Sequence, residues 1–81
     1  VTAEQRVLKA LSSGDYRTTF HADERMEERC VADKDIRACA RSGSLTTQPD
    51  CKFKVVGNDL DGEVLTIICV WNGDALIITV F

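Results

Sequence analysis

His21, Arg25 and Arg29 are the residues of this chain whose types and spacing suit chemistry, because they stand four apart in the run HADERMEER at positions 21–29. A helix turns about 100° per residue, so the three would lie within roughly 80° of each other on one flank. Guanidinium groups grip phosphate oxygens in a bidentate way, and an imidazole near neutrality passes a proton. Cleavage of RNA by its own 2′-hydroxyl needs both talents: acid–base transfer, and stabilisation of a charged phosphorane. The same helix carries Asp23, Glu24, Glu27 and Glu28, so the row also reads as a solvated edge laced with weak ion pairs. Lys52 and Lys54 share one face of a strand and either extend a basic strip or protect a sheet edge. Tyr16 offers a phenol that the sequence cannot place.

The elements that must position these groups follow from periodicity. Ala22, Met26 and Cys30 form the apolar stripe of the motif helix, with the basic row on its border, and Thr18 or Thr19 caps it. Before it, Thr2 to Leu11 is apolar at helical spacing and stops at the Ser12-Ser13-Gly14-Asp15 cluster. Tyr16 to Phe20 reads as a brief strand. A further helix is expected from an N-cap at Asp33 through Ile36, Ala38 and Cys39 to a stop at Gly43. Cys51 to Val56, Val64 to Trp71 and Ala75 to Phe81 then make a three-stranded antiparallel meander, turned at Asp61-Gly62 and at Asn72-Gly73, a dipeptide that suits a type I′ turn. The fold class is α+β in two layers.

The last two strands are apolar on both faces. Val64, Thr66, Ile68 and Val70 oppose Leu65, Ile67, Cys69 and Trp71, and Leu76, Ile78 and Val80 oppose Ala75, Ile77 and Phe81. A sheet with one wet face would alternate more cleanly. Both faces are therefore expected to be covered, one by the two later helices and the other by the first helix or by a second chain.

Composition narrows the classes. The 81 residues make one domain over 1–81, and 44% hydrophobic with 28% charged residues is ordinary for a globular one. A net charge of −3 argues against coating nucleic acid through the overall field, while leaving room for a local strip. The apolar runs are too short to span a bilayer, so no membrane partner is expected, and no cofactor. No signal peptide is read before the first helix, and the start at Val1 rather than Met implies removal of an initiator or tag, with earlier removal of a secretion signal left open. Cys30, Cys39, Cys51 and Cys69 lack zinc spacing. They read as buried thiols of a reduced, cytoplasmic protein, with two disulfides as the alternative. Asn58 to Glu63 has a calcium-loop look, but Gly57 stands where the first acid belongs, so it reads as a solvated turn. Thr79 reads as a hydrogen-bonded core threonine.

The segment HADERMEERCVADKDIRACARSG, with the later hairpin closing in Ile-Ile-Thr-Val-Phe, resembles a family of small bacterial domains of unknown function, the DUF family numbered forty-two fifty-eight. The matching residues are His21, Ala22, Arg25, Met26, Arg29, Val31, Ile36, Gly43, Ile78, Thr79 and Val80, and the resemblance spans about residues 16 to 81. Cys30 stands where such proteins often carry Gly, and Phe81 where Tyr is common. The element order is also similar to the RelE and BrnT type of toxin, mRNA-cutting ribonucleases held by antitoxins. That likeness implies an endoribonuclease with His21 as general acid or base, Arg25 and Arg29 on the scissile phosphate, and Lys52 or Lys54 on the RNA backbone. It implies RNA and an antitoxin-like protein as partners. The alternative is a non-catalytic binding or regulatory module that uses an apolar sheet face for a protein partner or a second copy.

Overall fold

The computed structural model describes residues 2–81. Helix α1 (Ala3–Ser13) opens with a capping box, in which Thr2 and Gln5 bond each other's backbone N–H. It ends at Gly14, whose left-handed φ of 84° turns the chain straight into strand β1 (Tyr16–Thr18). Helix α2 (Phe20–Glu28) follows at once, and α3 (Asp33–Ser42) leads into the hairpin of β2 (Ser44–Gln48) and β3 (Lys52–Asn58). Strands β4 (Val64–Trp71) and β5 (Ala75–Val80) complete a single sheet of order β1-β5-β4-β3-β2. The fold is α+β, with β1 parallel to β5 and every other pairing antiparallel.

The expected meander is present, and β2 extends it by one strand. Its residues, SLTTQ, are polar apart from Leu45 and sit at the sheet's edge, where no second face has to be apolar. The β4–β5 hairpin closes through three residues rather than a two-residue type I′ turn. Trp71 pairs with Ala75, and of the loop residues only Gly73 has positive φ. Helix α3 starts after Ala32 instead of at an Asp33 cap. Asp35 carries out the capping by accepting the Ala32 N–H at 3.0 Å.

All three helices lie on one side of the sheet, which corrects the expectation that both faces are covered. Helix α2 packs on β5 and β1, and α3 packs on β3 and β4. Helix α1 packs on α3 and reaches β2 and β5. The link of Gly14 and Asp15 between α1 and β1 is too short to carry α1 around the sheet edge, and the Asp15 N–H is tied back to the Ala10 carbonyl at 2.9 Å. The core fills the space between the layers. Val55, Leu65, Ile67, Cys69, Ile77 and Val80 on the sheet meet Val7, Leu11, Ala22, Ile36 and Cys39 on the helices, all essentially inaccessible to water.

A β-bulge decides which residues join that core. Thr79 pairs with Ile68 and Ile77 with Cys69, leaving Ile78 as an extra residue in β5. The insertion breaks the period of two. Val80 therefore turns inward with Ile77 and is fully buried, while Phe81 exchanges both backbone hydrogen bonds with Thr66 and joins the outer row. This reverses the assignment that strict alternation gives Val80 and Phe81. Thr79 also faces outward and is half-buried rather than a core residue.

Helix α3 meets β3 through two glycines in close approach. A Cβ on Gly57 would come within 2.3 Å of the Cys39 carbonyl oxygen and 2.8 Å of the Gly43 Cα. A Cβ on Gly43 would meet the Val56 carbonyl oxygen at 2.4 Å. Gly43 has φ −94°, so it is needed here for space and not for a left-handed turn.

Candidate functional site

The motif helix is anchored at its start by Thr19. Its hydroxyl accepts the Ala22 N–H at 3.1 Å and donates to the Ile78 carbonyl at 3.0 Å, while its backbone N–H bonds the Ile77 carbonyl at 3.0 Å. One side chain thus caps α2 and satisfies the carbonyl of the bulged residue. His21 follows in the first turn, Arg25 is one turn on, and Arg29 is the C-cap residue. Ala22 is buried and Met26 half-buried against the core, so the row does run along the helix border.

That border is open to solvent. His21, Arg25 and Arg29 are all exposed, and the His21 ring makes no hydrogen bond among the described residues. Arg25 lies 3.7 Å from Glu28 in a loose i, i+3 ion pair between half-exposed side chains. The concavity beside the row is a shallow depression of about 350 Å³ lined by Glu24, Glu27 and Glu28. Three carboxylates repel a phosphate group, so the helix offers no built anion cradle at this point.

The other sequence candidates lie elsewhere. Lys52 and Lys54 project from the outer face of β3, across the sheet from the helices, so the structure separates them from the His21 row. The Tyr16 phenol donates to Asp33, whose other oxygen holds Arg37 Nε at 3.0 Å. Burial and the Asp33 carboxylate both push its ionisation above the ordinary tyrosine range. Tyr16 is therefore a tie between β1 and α3, and does not join His21. Cys39 and Cys69 are buried, and their thiols are pushed up to about 11 and about 12, chiefly by burial. Cys30 and Cys51 are exposed instead, and all four cysteines are free. Both exposed cysteines occupy left-handed positions, at φ 55° and 59°, in a helix terminus and in the β2–β3 turn. The Asn58–Glu63 loop is a turn held by Asp59, which accepts the N–H groups of Asp61 and Glu63, both at 2.9 Å. No group of three or more His, Cys, Asp or Glu among the described residues is placed to hold a metal.

What sequence reasoning missed is the outer face of the sheet as a unit. The five strands carry no acidic residue, although the chain has 13. Their only charges are Arg17, Lys52 and Lys54, and pairing places all three on the uncovered face. Asp74 in the β4–β5 turn holds Arg17 through two bonds of 2.7 and 3.2 Å, and the two lysines have no ion pair among the described residues. Between them lie half-buried Ile68, Val70, Leu76 and Ile78, with Val64 and Phe81 at one end, 63% and 51% exposed. The signal was the absence of acids in segments 44–48, 52–58, 64–71 and 75–80. It gains meaning only once those segments are known to share a face.

The family described as a domain of unknown function, DUF4258, matches residues 18–81. The chain belongs to that family. No curated protein and no solved structure matches it. The match begins at Thr18, so α1 lies outside the DUF4258 region while supplying Val7 and Leu11 to the core. The position at which DUF4258 proteins are expected to carry Gly is explained by the structure. Cys30 is the left-handed residue ending α2, where the Val31 N–H bonds back to the Met26 carbonyl at 2.8 Å, the reversal that glycine serves best. No helix of the described DUF4258 chain is long and apolar enough to cross a membrane.

Proposed function

We propose that this DUF4258 domain is a non-catalytic binding module that holds an acidic, partly apolar segment of a partner protein on the open face of its sheet. The observation that carries this reading is the confinement of every strand charge to that face, all of them positive, in a chain of net charge −3. Acids sit in the helices and loops, so the domain is polarised, and complementary charge steers a partner toward the sheet. Apolar side chains between the cations supply the area such a partner buries. Single-stranded RNA fits this surface less well. Bases seek aromatic platforms, and the only aromatic ring of the outer rows is Phe81 at their end. The outer rows also contain no histidine or carboxylate to move a proton.

The endoribonuclease of the RelE and BrnT type is the second reading, favoured by the order of one strand, two helices and a run of antiparallel strands after α1, with β2 as one strand more than that likeness implies. In it His21 is the general acid or base and Arg25 and Arg29 hold the phosphate, while Lys52 and Lys54, expected on the RNA backbone, lie across the sheet from that row. Fold-level likeness is its warrant, and folds carry many functions.

One set of titrations separates the two. The probes are a nonapeptide alternating glutamate and valine, and a single-stranded RNA of matched charge. Wild type is expected to bind the peptide more tightly than the RNA and to leave the RNA intact. Lys52→Glu/Lys54→Glu is expected to weaken peptide binding about tenfold or more, as reversal of two ion pairs implies. RNA cleavage that disappears in His21→Ala and Arg25→Ala would replace the binding reading with the nuclease.

A further inference from the structure

The two edges of the sheet are treated differently, and the difference points to how a partner enters. Strand β1 is three residues long, carries the Arg17–Asp74 pair and runs directly into the α2 cap. Short length and charge are the usual guards of an edge. Strand β2 has neither guard. Its five residues contain no charge and no proline, and its register against β3 runs without a bulge from Ser44 opposite Val56 to Gln48 opposite Lys52. It is a regular edge with one row of backbone groups unpaired by any neighbouring strand.

The side chains beside that edge specify what would suit it. On the outer face Thr46 lies opposite Lys54, and Gln48 opposite Lys52. A sixth strand would run two strand spacings from β3, about 9.6 Å away. A lysine side chain reaches about 6 Å and a glutamate about 4 Å, so carboxylates on the outer face of that strand meet the two ammonium groups. On the inner face the new strand would lie beside Leu45, which packs against the core, and near α1. Alternating acidic and apolar residues satisfy both sides.

We propose that the partner segment is extended, alternates acidic with apolar residues, and adds to the sheet as a sixth strand along β2, with its acids over Lys52 and Lys54. This rests on the binding reading above and gives that reading a geometry, the strand-addition mode of peptide recognition. A second copy of the chain suits the edge less well, because pairing β2 with β2 sets two lysine pairs on one continuous face.

The test uses the glutamate–valine nonapeptide and two N-methylated versions, one methylated on every glutamate and one on every valine. In an extended strand these two sets of N–H groups point to opposite edges. One version is expected to lose at least thirtyfold in affinity and the other to stay within threefold of the parent. Amide exchange within Ser44–Gln48 is expected to slow when the parent binds. Equal affinity of the two methylated peptides, or unchanged exchange in β2, overturns strand addition. If Lys52→Glu/Lys54→Glu still weakens the parent peptide in that case, the face reading survives and only the mode of entry is wrong. If charge reversal also has no effect, the face reading falls with it. A β2–β2 dimer of the free protein that persists at saturating peptide likewise overturns the proposal.

Discussion

Gly57→Ala places a methyl group where the structure has backbone. The added carbon would stand 2.3 Å from the Cys39 carbonyl oxygen, 2.8 Å from the Gly43 Cα and 2.9 Å from the Gly43 nitrogen. Ordinary contact lies about 1 Å farther out, so α3 and β3 must separate, and none of the three atoms is the movable end of a side chain. Overpacking of this kind costs about 1–3 kcal/mol, and backbone on the opposing side puts Gly57 near the top of that range. Each kcal/mol moves the melting temperature of a domain this small by about 4–8 °C. The variant is therefore expected to melt about 12–24 °C below wild type, by circular dichroism or calorimetry. Gly62→Ala is the control, because a Cβ there meets nothing within 4 Å and only the positive φ of 83° opposes it. That strain costs about 1–2 kcal/mol. A Gly57→Ala protein melting within 5 °C of wild type (roughly one kcal/mol), or above Gly62→Ala, would refute the claim that two glycines seat α3 on the strand bearing Lys52 and Lys54.

Further outcomes follow from single residues. Cys30→Gly relieves the left-handed strain at the end of α2, partly offset by added freedom in the unfolded chain, so stability is expected to rise by about 0.5–1 kcal/mol in urea titrations. Thr19→Ala removes both the α2 cap and the bond to the bulge, and is expected to cost about 1–2 kcal/mol by the same measurement. Arg25→Ala breaks only a loose surface pair, and its melting temperature is expected to stay within about 2 °C of wild type. Stability is expected to fall above pH 9. Folding raises the thiols of Cys39 and Cys69 from 9.0 to about 11 and about 12, so between those values the folded state holds protons that the unfolded state has lost. Each thiol contributes a slope of about 1.4 kcal/mol per pH unit across its own window, and Cys69→Ala is expected to flatten the urea-midpoint curve between pH 9 and 11.

Much of this fold is legible without coordinates because it is encoded over a few residues. The α1 stop at Gly14, the Thr19 cap, the β4–β5 hairpin around Gly73 and the solvated turn at Asp59 all depend on φ preferences or on bonds between near neighbours. The basic row could also be placed on its helix. Whether it faces a cleft depends on the rest of the domain, and the depression found on that helix is lined by the helix's own acids. Strand β2 lacked a signal because an edge strand can be polar on both faces.

The sequence by itself determined the α+β class, most of the element order and the DUF4258 family, since periodicity, capping and motif are local properties of the chain. The tertiary structure alone decided the side on which α1 packs, the exchange of Val80 for Phe81 in the core, and the gathering of Arg17, Lys52 and Lys54 on one face. The physical reason is range. A bulge at Ile78 shifts facing by one residue for everything after it, and a two-residue link at Gly14 forces a helix to one side of a sheet. Neither event changes the hydrophobic pattern from which elements are read, yet together they leave the cationic face open.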